Sequence, residues 1–334
     1  MNKKVVLNIE SVYTANAFKV GDKTLIAAGS ETKPSVELYD LETGVTCQVA
    51  DCPGGVMSFV PVPGCPDTFY SIMGLFPPFV GLEAGVFRHR KTEDGWKTDR
   101  IMHLPFAHRC DILTLDGVNY LFAASASKHK DNPADWSQAG ETYVMTLDAD
   151  GNPSEPELLF GTLWRNHGML KYAIDGKETV LVSGAEGIFA LEKTAEGWTE
   201  KLVFDKEVSE FGFIDLDSDG NDELVTIEPF HGNTINAYKQ VDGKWEMKFT
   251  DSLSFGHGLS CGMFNGEPVI VVGNRRESLT LDMFTVQNLD KGELKRNCIE
   301  ENAGPTQTLV FNCCGTDYIL SANQLKNEVA IYCN

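Results

Sequence analysis

Apolar residues along this chain fall in short continuous runs, and one hairpin-like unit keeps returning. The runs cover residues 24–29, 68–74, 120–125, 179–184, 223–227, 269–273 and 318–323, most of them ending on small residues. A turn containing glycine precedes each, at Gly21, Gly64, Gly117, Gly176, Gly220, Gly266 and Gly315. The glycines recur at intervals of 43, 53, 59, 44, 46 and 49 residues, close to the ~40–50 residues of one propeller blade. Unbroken apolar runs suit strands buried on both faces. Glycine in the turn supplies the positive φ that a two-residue hairpin needs.

A second hairpin follows, with turns at 41–44, 92–96, 149–151, 194–198 and 241–245. It joins a third strand (36–39, 187–191) to a more polar fourth one, as expected where a blade edge meets water. The last unit stops after residues 328–333, while residues 4–9 have strand character ahead of the first unit. The N-terminal segment is therefore expected to complete the seventh blade and close the ring. The pattern predicts an all-β protein: one seven-bladed β-propeller domain over 1–334, with four-stranded blades.

Composition narrows the function classes. The chain has 334 residues, 42% hydrophobic, with a formal net charge of −20. That charge repels phosphate backbones and argues against a nucleic-acid partner. No run approaches the ~18 apolar residues of a membrane span, and the N-terminus has no signal-peptide pattern. Nine cysteines lie scattered without a C-x-x-C pair, and Cys313-Cys314 falls in an apolar stretch where burial is expected. Free thiols without an export signal suggest the cytoplasm. No P-loop or G-x-G-x-x-G element is present.

Residues 215–223 read Asp-Leu-Asp-Ser-Asp-Gly-Asn-Asp-Glu. Alternate oxygen ligands can curl around a hard cation, with glycine at the sixth position allowing the sharp turn. Asp215, Asp217, Asp219 and Glu223 are the candidate calcium ligands, with a carbonyl near Asn221. This nine-residue pattern resembles the FG-GAP or VCBS repeats of integrin-like propellers. Blade 5 carries the resemblance, and the other blades share its hairpin layout only.

Histidines give the second signal. Nine residues before the turn glycine lie His108 in blade 3, His167 in blade 4 and His257 in blade 6. The same count gives Val12 in blade 1, Gly55 in blade 2, Phe211 in blade 5 and Thr306 in blade 7. The far ends of the second strands return toward this face with Lys128, His129, Glu186, Glu228, His231, Arg275, Arg276 and Gln324. Imidazoles are common ligands of borderline divalent metals, and three with an open position make a catalytic site. His108, His167 and His257 are the expected ligands of a divalent transition metal, zinc, manganese or similar. His231 is a fourth ligand or a proton carrier. His89 and His103 are read as ordinary hydrogen-bonded histidines. Phe76, Phe79 and Trp136, on long joins between second and third strands, are candidates for an aromatic wall against a sugar ring.

A histidine-lined funnel with arginines and carboxylates resembles the sites of propeller sugar lyases and dehydratases, aldos-2-ulose dehydratase among them. The resemblance implies a metal that polarises a sugar carbonyl or carboxylate, so that a base removes the neighbouring proton and a β-oxygen leaves. His231, His129, Lys128 and Glu228 are then candidates for acid or base, and Arg275 or Arg276 for steadying the enolate. A metal-dependent lactonase, hydrolase or epimerase of the same substrate class is the alternative enzyme. A binding propeller with a structural ion is the non-enzymatic one.

Overall fold

All seven turn glycines adopt positive φ, from 60° at Gly21 to 90° at Gly220. In blades 3, 6 and 7 the preceding residue does so too (Asp116, Asn265 and Cys314, φ 50–55°), the two-residue geometry that matches strand twist. Cys314 is therefore exposed at a turn, and only Cys313 of the pair is buried as expected. All nine cysteines are free thiols.

These turns organise a seven-bladed β-propeller of four-stranded antiparallel sheets. The coordinates are a computed structural model that describes residues 1–49, 52–174 and 176–334. In blades 1 to 6 the strands are laid down in chain order from inner to outer, as in blade 4: Gly168–Ile174, Lys177–Gly184, Gly187–Thr194 and Gly197–Phe204. Its second strand shows why the run is unbroken: residues 179–183 are at most 2% exposed. The outer strand instead exposes Thr199, Glu200, Lys201 and Leu202. Small residues end these runs because the next blade lies against them; a Cβ on Gly29 would stand 2.6 Å from Val56 Cβ.

The chain divides into two compact units. Ile9–Lys206 holds blades 1 to 4, with apolar layers such as Phe18, Phe59, Phe69 and Trp96 between blades 1 and 2. Met1–Asn8 with Glu207–Asn334 holds blades 5 to 7, with Ile227, Ile270 and Phe284 in one of its cores. The expected completion of blade 7 is present. Asn2–Asn8 pairs antiparallel with Glu328–Cys333, from Asn2 opposite Cys333 to Asn8 opposite Glu328. Its Val6 and Leu7 are buried, and Lys3 Nζ lies 3.0 Å from Glu300 and 2.5 Å from Glu328. Among the described residues, no helix is long and apolar enough to cross a membrane.

Candidate functional site

The inner strands begin with a repeated backbone device. Ser11, Phe106, Arg165, Phe255 and Gly304 have positive φ, and each stands two residues before Tyr13, His108, His167, His257 and Thr306 respectively. Pairing then slips at Tyr13, His108 and Thr306, and across His257-Gly258, so these residues sit in β-bulges. Bulges re-aim a side chain that a regular pleat would send elsewhere.

The structure corrects three register assignments. In blade 2 Gly55 is itself the positive-φ residue (φ 61°), and Met57, two residues on, takes the register place, its N–H donating to Ile72 O. Blade 1 contributes Tyr13 rather than Val12, because Gly21 is the first residue of its two-residue turn while Gly117 and Gly266 are the second. Counting from glycine slips by one there. Blade 5 contributes Ser209 rather than Phe211. Ser209 N–H donates to Ile227 O, as His167 N–H donates to Ser183 O in blade 4, and the eight-residue loop 215–222 breaks the count.

In the unit Ile9–Lys206, Tyr13, His108 and His167 are 3%, 2% and 0% exposed. His108 Nδ1 faces the His167 carbonyl at 3.3 Å, and a carbonyl only accepts, so Nδ1 carries the proton. Nε2 then accepts from the Tyr13 hydroxyl at 3.3 Å. The two imidazoles lie tilted against each other with centroids 4.1 Å apart. Both ring nitrogens of His108 therefore face protein partners. Beside them Asn166 Nδ2 donates to Thr142 Oγ1, while its buried Oδ1 has no hydrogen-bond partner among the described residues.

In the other unit the groups are more open. His257 is buried, and its Nδ1–H donates to Thr306 O at 2.7 Å, which leaves Nε2 as the lone-pair nitrogen of the neutral ring. His231 is half-buried, with φ 48°, and its N–H donates to Ser209 Oγ. Its ring stacks on Phe230 (4.0 Å) and His257 (5.1 Å) and meets Phe255 at a tilt (4.8 Å). Arg276, exposed, lies 4.3 Å above the Phe255 ring. Arg275 donates through Nε and Nη2 to Gln324 Oε1 at 3.2 and 2.9 Å. An accessible run of cation, aromatic ring and two imidazoles thus ends on a buried carbonyl.

The remaining candidates have local partners. Lys128 pairs with Glu141 at 3.0 Å, and exposed His129 with Asp131 at 3.0 Å. Glu228 accepts from Thr226 Oγ1 (2.5 Å) and Tyr238 Oη (2.9 Å), which ties it into its own blade. Glu186 accepts from Trp164 N–H. Phe76 is half-buried and bridges to Val80 through its backbone. Phe79 meets Trp136 edge-on at 5.2 Å, and the Lys130 ammonium lies 3.2 Å from the Trp136 ring centroid. That ammonium covers one indole face where a sugar ring was expected. Burial brings Lys130 down to about 8.

His89 and His103 behave as read. His103 Nε2 bonds Leu82 O at 2.7 Å. His89 is fully buried between Ser71 Oγ (2.8 Å) and Thr98 Oγ1 (3.0 Å), stacked on Phe69. Desolvation pushes it down to about 3. A base whose folded value is depressed stabilises the protein above its unfolded value of ~6.5 and loses that contribution as pH falls toward 3. At pH 5 the loss is about 2 kcal/mol. The drop in melting temperature between pH 7 and pH 5 is expected to shrink in His89→Gln; an unchanged drop removes His89 as its source.

In blade 5 the acidic loop closes largely on itself. Asp215 accepts from the N–H groups of Asp219 (3.1 Å) and Gly220 (2.9 Å), and Glu223 Oε2 from Leu216 N–H at 2.7 Å. Lys239, from the third strand Thr234–Val241, pairs with Asp217 and with Asp219 at 2.7 Å, and stands 4.0 Å from Glu223 Oε1. Sequence reasoning missed Lys239, because the loop pattern was read without the strand beside it.

No protein-family model and no curated protein matches the sequence. Among solved structures, the chain is similar to a "putative 6-phosphogluconolactonase" from Bacteroides uniformis ATCC 8492. The identity is 13% and the TM-score 0.62, over 94% of this chain and 92% of that one. It is similar to a glucose dehydrogenase at 14% identity and TM-score 0.51, over 99% and 98% of the two chains. It is also similar to a chain of the mitotic checkpoint complex, at 10% identity and TM-score 0.63, over 100% and 93%. At these identities the likeness establishes the propeller fold and nothing finer.

Proposed function

We propose that the protein is an enzyme acting on a small anionic sugar derivative, with His231 as its proton carrier and Arg275 and Arg276 drawing the substrate's negative charge. The observation that carries this reading is the contiguous run Arg276, Phe255, His231, His257 within one unit. It places an accessible imidazole between a cation and a second imidazole whose tautomer is fixed. A histidine titrates near neutral pH and so can take and return a proton. β-Elimination from a keto-sugar or sugar acid is the reaction proposed first: His231 takes the proton next to the carbonyl, an arginine steadies the enolate, and His231 returns the proton to the β-hydroxyl, which leaves as water. Opening of a sugar lactone is the second, favoured by the name of the Bacteroides uniformis neighbour.

A divalent transition metal fits His257, whose Nδ1–H is anchored to a carbonyl as metal-bound imidazoles usually are. It does not fit His108, whose two nitrogens already face Tyr13 and His167. A bound ion would polarise the substrate carbonyl.

The test is a panel of keto-sugars, aldonic acids and sugar lactones, with and without phosphate, on the purified protein. New ultraviolet absorbance reports elimination, acid release reports lactone opening, and metal analysis of wild type and His257→Ala reports the ion. Turnover of one class is the expected result. No turnover and no calorimetric binding across the panel overturns the reading.

A further inference from the structure

We infer that Lys239 supplies from within the chain the positive charge that calcium supplies in loops of this pattern, so that the blade 5 loop is set without an ion and becomes a cation site only when that ammonium is removed. The loop has the acidic spacing and the glycine of a calcium loop. Its donor set, however, already encloses a cation. The Lys239 ammonium pairs with Asp217 and Asp219 and faces Glu223, three of the four carboxylates a calcium ion would use. A divalent ion there would sit within a few ångströms of a fixed positive charge and lose much of its attraction to the same oxygens.

A latent site lies beneath the lysine. Oxygens of Asp215, Asp217 and Glu223 come within 4.8 Å of one another. Asp217 Oδ1 and Glu223 Oε1 are buried without a hydrogen-bond partner among the described residues, and the Glu223 side chain is 1% exposed. One ammonium satisfies part of this ring and leaves two oxygens over, and a divalent cation in its place would meet them.

The experiment uses the full chain and calcium chloride as the probe. Wild-type melting temperature is expected to be the same in EDTA and in calcium, and Lys239→Arg to behave alike. Lys239→Met is expected to melt lower in EDTA, to recover in calcium, and to bind calcium at least about tenfold more tightly than wild type by calorimetry. Stabilisation of the wild type by calcium, lost in Asp217→Asn, overturns the inference. A folded Lys239→Met indifferent to calcium also overturns it. Should Lys239→Met fail to fold in EDTA, recovery of folded protein on adding calcium supports the latent site, and failure to recover counts against it.

Discussion

Deleting Asn2–Asn8 is expected to lower the melting temperature by roughly 10 °C or more and to bring on aggregation. The strand buries Leu7 to 3% exposure and Val6 to 7%, and covering each such side chain contributes about 1.5–3 kcal/mol. It also satisfies the outward backbone groups of Glu328–Cys333, whose Ala330, Ile331 and Tyr332 belong to the core. Without it that strand becomes an unpaired apolar edge, the usual template for association between chains. Leu7→Ala should cost about 3 kcal/mol through the cavity it leaves. Lys3→Met should cost under about 1 kcal/mol, because its ion pairs are partly exposed. Scanning calorimetry and light scattering check all three. A deletion variant that melts within about 2 °C of the full chain would falsify the claim that this strand is integral to blade 7.

His231→Asn is expected to lower kcat by about 10²–10⁴ on whichever substrate the panel identifies. Asparagine is the informative replacement because position 231 has φ 48°, a left-handed conformation that asparagine accepts and most residues resist. The backbone bond to Ser209 is then kept while the titrating ring is lost. Arg275→Met should act differently, raising KM by about tenfold with a smaller change in kcat, if it removes the charge proposed to hold substrate. Gln324→Leu, which removes the acceptor that orients Arg275, should show part of the same effect. Steady-state kinetics separates these patterns. His231→Asn activity within about threefold of wild type, at unchanged melting temperature, rejects the proton-carrier role.

The fold was legible because each blade writes its own signature: a glycine turn, a run buried on both faces, and a polar outer strand. The site was legible only in part. His108, His167 and His257 do share the start of the inner strand, yet Tyr13 and Ser209 were hidden by turns of different construction. Counting from glycine assumes that glycine occupies the same place in every turn, and blades 1, 2 and 5 break that assumption. Lys130 and Lys239 were hidden for another reason. Each reaches its aromatic or acidic partners across a loop or from a neighbouring strand, and one-dimensional spacing carries no trace of such contacts. In both places the sequence showed the receptor, a ring wall or a carboxylate ring, and not the ammonium already seated against it.

Asn2 lies opposite Cys333, so residues near the two ends of this chain sit side by side in one blade. A short linker can join them, and a new start can be cut at an exposed hairpin such as Asp242-Gly243. Such a circular permutant keeps every strand pairing while making blade 7 contiguous in the chain. The order of synthesis then changes and the native contacts do not, so refolding rates of the two forms would separate what chain connectivity contributes from what side-chain packing contributes.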